Sequence, residues 1–142
     1  MKNITKLLLG LFVFCSVAAN AETGSKKLTV KVNGLNSNEG QVVVLLYNSK
    51  KGFPMMPNRA FKTETVTVQN KKATVRFENL PSGEYAVFLY HDLDNNGKLN
   101  HNLVGKAKED YGISNNPNGY GFKEAKFELK SDKAIEVKLI KH

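Results

Sequence analysis

The sequence predicts an all-β fold, a sandwich of about seven short, mostly antiparallel strands with one long ordered loop. Three observations predict it. Short apolar runs alternate with the two-residue period of a half-buried strand. Turn-forming Asn, Gly and Pro recur between them, roughly every 8–12 residues. Beyond residue 21, no segment repeats its apolar residues with the period of a helix.

The elements follow in order. Leu28, Val30 and Val32 alternate with Thr29 and Lys31, and Asn33-Gly34 ends that strand. Val42 to Tyr47 is a continuous apolar run, short and β-branched, as expected of a central strand buried on both faces. Gly52, Pro54 and Pro57 mark a loop. Its Met55-Met56 pair is expected to cover one end of the core, with an exposed apolar contact patch as the alternative. Thr65 to Val68 alternates, Asn70-Lys71 makes a turn, and Ala73, Val75 and Phe77 form the next apolar face, so these two strands read as a hairpin. Residues 84–91 form a strand after the turn Leu80-Pro81-Ser82-Gly83, and residues 125–129 and 135–140 supply the last two. The expected core is Val42, Val44, Leu46, Val75, Phe77, Val87 and Leu89. Residues 92–122 lack β alternation and are rich in Asn, Gly and Asp. Structureless loops beyond about 12–15 residues are uncommon in compact domains and usually functional, so function is sought there first.

Residues 1–21 read as a cleavable secretory signal. Lys2 and Lys6 precede an uncharged, mostly apolar run from Leu7 to Ala19, and Ala19-Asn20-Ala21 is a small-x-small exit. That run is too short to span a bilayer, which takes about 20 apolar residues. The mature protein is expected to begin at Glu22 and to work in the periplasm or outside the cell, as one domain over residues 22–142 without a transmembrane segment. Cys15, the single cysteine, leaves with the signal, which excludes disulfides, thiolate metal sites and a cysteine nucleophile from the mature chain. Formal net charge is +8, but the lysines are scattered and Arg59 and Arg76 are the only arginines. Nucleic-acid surfaces cluster their cations among stacking aromatics, so no nucleic-acid partner is expected. Lysines at turns and edges keep sheets from pairing with one another.

The stretch Leu80-Pro81-Ser82-Gly83-Glu84-Tyr85-Ala86-Val87 resembles a turn-and-strand of transthyretin-like and carboxypeptidase-regulatory-like sandwiches. A more specific run is His91-Asp92-Leu93-Asp94-Asn95-Asn96-Gly97-Lys98-Leu99-Asn100, followed by Gly105, Glu109, Tyr111-Gly112 and Ser114-Asn115-Asn116. Together these resemble the DUF2141 family of uncharacterised bacterial exported proteins. The resemblance covers most of the mature chain and departs from the family pattern at Ala107, where proline is expected. It implies a transthyretin/prealbumin-like sandwich and no activity.

Asp92-x-Asp94-x-Asn96-Gly97 matches the first half of a calcium loop, in which oxygens at alternate positions converge across a glycine-permitted turn. The bidentate glutamate that would close an EF-hand is replaced by Leu103, and a strand precedes the loop. This is therefore read as a strand-flanked calcium candidate of Asp92, Asp94, Asn96, the Lys98 carbonyl and Asn100, completed by Asn102 or by a distant Glu109 or Asp110. The alternative is turn chemistry alone, since Asp, Asn and Gly are what tight turns use. His91 and His101 bracket the loop in no recognised zinc spacing. Ser82, Ser114 and Ser131 lack a nucleophile-elbow context.

Three functional readings follow. The leading one is a non-enzymatic binding or accessory module, with residues 92–122 as its working surface and a weak calcium site at residues 92–100. The second is an enzyme with a loop pocket using His91, Asp92 and His101. The third is an envelope-associated structural protein whose lysines hold an anionic envelope polymer. The loop residues singled out as functional candidates are His91, His101, Glu109, Tyr111 and Asn115.

Overall fold

The computed structural model describes residues 25–142. The expected signal and its cleavage site lie outside the described residues. The described residues are nearly all β, with eight strands in two sheets. The first sheet holds β1 (Lys26–Asn33) between β4 (Ala73–Leu80), which is antiparallel to it, and β8 (Lys133–Lys138), which is parallel. The second runs β3 (Lys62–Thr67), β2 (Gln41–Tyr47), β5 (Gly83–Asp92), β6 (Tyr111–Ile113), with β7 (Phe127–Leu129) also pairing with β5. No helix among the described residues is long and apolar enough to cross a membrane.

Alternation places one face of each strand between the sheets. Leu28, Val30 and Val32 of β1 and Val75 and Phe77 of β4 meet Val42, Val44 and Leu46 of β2 and Val87 and Leu89 of β5 there. All seven expected core residues lie in this layer. The continuous apolar run of β2 has its expected meaning, and β5 shares it. Their other faces, Val43, Leu45 and Tyr47 with Ala86, Phe88 and Tyr90, form a second cluster with Ile113 and Ala125. That cluster is covered by loops. Phe53 packs edge-on against Tyr47 at 5.2 Å and against Phe122 at 5.7 Å, tying the loop at 48–61 and the one-turn helix α1 (Phe122–Ala125) over the sheet. Each large side chain so covered contributes about 1.5–3 kcal/mol relative to exposure.

Three expectations are corrected. The Asn70-Lys71 turn forms, with φ of +51° and +55° at its two residues, a two-residue hairpin turn closed by the Gln69–Lys72 bridge. Beyond that bridge the strands part, β3 joining β2 and β4 joining β1. Val66 and Val68 on one arm and Ala73 and Val75 on the other all face the space between the sheets, so the arms must occupy opposite layers. Residues 92–122, expected as one ordered loop, also hold β6, a strand beyond the seven expected. Three residues are too few to reveal alternation in a sequence. Met55 and Met56 do not cover the core: they are 64% and 55% exposed, and Phe53 does that work.

Candidate functional site

Strand β5 ends at Asp92, whose side chain is fully buried. The chain then turns sharply through Asn95 and Gly97, at φ +57° and +74°. Asp92 is the hub of this turn. Its Oδ1 accepts the Asn96 N–H at 3.1 Å, and its Oδ2 accepts the Gly97 N–H at 2.8 Å and the Gln41 Nε2 amide at 2.7 Å. Burial is the largest single influence on the Asp92 carboxyl and opposes ionisation, but the hydrogen bonds it accepts, led by those from the Gln41 amide and the Gly97 N–H, outweigh it and hold its pKa below the usual carboxylate range. Asp94 Oδ2 receives the side-chain amides of Asn96 and Asn100, both at 2.9 Å, and the Asn96 Oδ1 accepts the Lys98 N–H at 2.8 Å. The Tyr90 hydroxyl donates to the Gly97 carbonyl at 2.8 Å from the strand below.

The chain comes back to this turn by a small hairpin. Lys108 N–H donates to the Asn100 carbonyl at 2.8 Å, His101 bridges Ala107, and Asn102 N–H donates to Lys106 at 2.8 Å. This return delivers Glu109, 3% exposed, beneath the turn. Its two oxygens accept the Leu93 and Asn100 N–H groups, each at 2.9 Å. The carboxylates of Asp92, Asp94 and Glu109 consequently converge, each offering an oxygen within 4.8 Å of the others. Among the described residues none of the three makes an ion pair within 4.0 Å.

The other candidates separate. Asp110 follows Glu109 but binds Lys141 Nζ and His142 Nδ1, both at 2.9 Å. His91 and Asp92 are neighbours on a strand and therefore face opposite ways. His91 is buried, with Nε2 2.7 Å from the Glu39 carbonyl oxygen, and it does not line the cleft that His101 lines. Among the described residues, neither His91 nor Asp92 lines the two clefts that His101 lines. The Tyr111 hydroxyl meets that of Tyr120 at 2.6 Å. Asn115 donates to the carbonyls of Glu124, Ala125 and Lys126, holding the end of α1.

Two residues of the site escaped sequence reasoning. Gln41 opens an apolar strand and reads there as its polar start. Its place opposite Asp92 exists only in the β2–β5 register. Gly40 sits at φ +70°, and any Cβ there would overlap the Asp92 carbonyl oxygen. The Asn-Glu-Gly turn before β2 can approach the acidic turn that closely only with glycine.

Comparison with known proteins adds a family. The profile of DUF2141, described as an uncharacterised protein conserved in bacteria, matches residues 30–138, from β1 to the end of β8. No curated protein and no solved structure matches the chain.

Proposed function

We infer, for a chain that belongs to the DUF2141 family, that it is an exported, non-enzymatic binding module whose working surface is residues 92–122, ordered by one weakly held calcium ion. One observation carries the calcium reading. Three carboxylates, two of them buried, lie within 4.8 Å of one another, and no cation among the described residues pairs with them. Like charges this close repel, and a hard divalent cation with oxygen ligands relieves that. Glu109 takes the role left open by Leu103, supplying a third carboxylate from the returning hairpin. The N–H donors already present do not exhaust the set. An ionised carboxylate has about four lone-pair directions, and none of the three accepts that many bonds.

The competing reading is that those N–H donors alone hold the turn. Thermal melting separates the two. A site of this kind binds calcium in the range of extracellular modules, about 10⁻⁴–10⁻³ M. At tenfold excess over Kd the ion adds about 1.4 kcal/mol, a rise of a few degrees in Tm. The exposed Asp94→Ala variant should fold and lose that rise. Equal melting of wild type in calcium and in chelator, with no heat on calorimetric titration, would leave turn chemistry alone. Export is tested separately. Amino-terminal sequencing of protein recovered from bacterial expression should begin at Glu22, the residue after Ala19-Asn20-Ala21.

A further inference from the structure

The loops that cover the outer cluster leave a cleft of about 490 Å³ between the Met55 loop, the hairpin at 100–108 and the chain end. Phe88 and Leu99 line it, with Tyr111 and Tyr120, and Met55 stands at one side. A smaller hollow of about 180 Å³ shares Met55, Phe88, Leu99 and His101 and carries the apolar surface on to Tyr90. The charged lining has one sign. Lys106 and Lys141 contribute ammonium groups to the cleft, His101 and His142 contribute their rings, and no Asp or Glu does. Asp110 engages Lys141 and His142. Lys106 and the His101 ring form neither an ion pair nor a side-chain hydrogen bond among the described residues.

We propose that this cleft binds a small amphipathic organic anion, its apolar body on Phe88, Leu99 and Tyr111 and its carboxylate or sulfonate head at Lys106 and His101. Volume, an apolar floor and a few convergent polar groups are what small-molecule sites have in common. The one-signed rim selects the charge of the head, and an uncharged ligand of equal length gains nothing from it. Met55 and Tyr120, 64% and 58% exposed beside the opening, have apolar surface that no segment of the described chain covers. This inference names a ligand class for the binding module inferred above, and it does not require the cation.

The test uses protein recovered from expression of the full chain, with decanoate and decanol as paired probes and displacement of anilinonaphthalene sulfonate as readout, in calcium and in chelator. Decanoate should bind at least tenfold more tightly than decanol. Lys106→Glu should weaken decanoate about tenfold and leave decanol unchanged, and the remote Lys130→Glu should change neither. Ala107→Trp, which fills the cleft, should abolish both; if that variant misfolds, the Lys106→Glu comparison decides. Equal affinity for the two probes, indifference to Lys106→Glu, or a protein that dimerises over the cleft and excludes both probes would overturn the proposal. Loss of probe binding beside an intact calcium shift in Tm sinks the cleft alone. Probe binding without any calcium shift sinks the calcium reading alone.

Discussion

Gln41 and Asp92 face each other across the last rung of the β2–β5 ladder, and the Gln41 amide donates to Asp92 Oδ2 at 2.7 Å. The same carboxylate receives two backbone N–H groups of the following turn. The end of the sheet and the start of the turn are thus joined through one buried side chain.

Gln41→Ala should cost about 1–3 kcal/mol, because it removes a donor from a buried carboxylate. The Asp92 pKa is depressed in the native state, so its contribution is present above the unfolded pKa and lost as pH falls through the depressed native value. Urea titrations in chelator should show the deficit at neutral pH and its disappearance in acid.

Gly40→Ala and Gly34→Ala form a pair. Both glycines have positive φ, +70° and +88°. A Cβ at Gly34 meets Leu139 at an ordinary 3.7 Å, so that variant should lose only the backbone strain, about 1–2 kcal/mol. At Gly40 the Cβ overlaps the Asp92 backbone, and the loss should be larger and accompanied by a weaker calcium response. Denaturation midpoints of the two variants check the order.

Tyr47→Phe removes a hydroxyl that lies 3.1 Å from both the Pro54 and the Met56 carbonyl oxygens. The expected loss is about 1–2 kcal/mol. Because both acceptors belong to the loop over the outer cluster, trypsin should cut at Lys50, Lys51 or Arg59 sooner than in wild type. Unchanged digestion would show that the Phe53 packing and the bond from the Phe61 N–H to the Leu46 carbonyl hold the loop without that hydroxyl.

At alkaline pH, Tyr47 and Tyr90 should titrate late. Burial pushes both hydroxyls from 10.0 up to about 12, and at Tyr90 the charges of Asp92 and Glu109 act in the same direction. The native state keeps protons that the unfolded chain releases. Stability is therefore full below pH 10 and falls as pH rises from there toward about 12. The part of the tyrosinate absorbance that Tyr47→Phe or Tyr90→Phe removes should rise together with loss of β-sheet circular dichroism, and not ahead of it.

The sandwich was legible because its strands are long enough to show their period. The six apolar residues of Val42–Tyr47 could only be a strand covered twice, and the structure covers it twice. The partition of the hairpin was hidden, since a turn dictates the first rung and not which sheet each arm joins. Within the site, Asp92, Asp94, Asn96 and Asn100 were legible through their spacing along one turn. Glu109 was legible only as one of several candidates, because its approach depends on a hairpin closed by backbone bonds that have no residue signature. Ser114, a serine without a nucleophile-elbow context, has a structural part. Its hydroxyl accepts the Val87 N–H at 2.9 Å and donates to the Ala125 carbonyl at 2.6 Å, extending the sheet where β6 stops. That role follows from burial and register, which spacing does not encode.

Strand β1 runs parallel to β8 and leads, through the turn containing Gly40, into β2 at Gln41, the partner of Asp92. Lys26 therefore sits at the opposite end of the sandwich from the acidic turn. Whatever is joined to the chain ahead of Lys26, whether an affinity handle, a solid support or a neighbouring domain, attaches at the far pole. Immobilised that way, the protein presents the acidic turn away from the attachment point, so the calcium measurement is compatible with surface-based detection. Attachment after His142 is not equivalent, since that residue lines the cleft and holds Asp110.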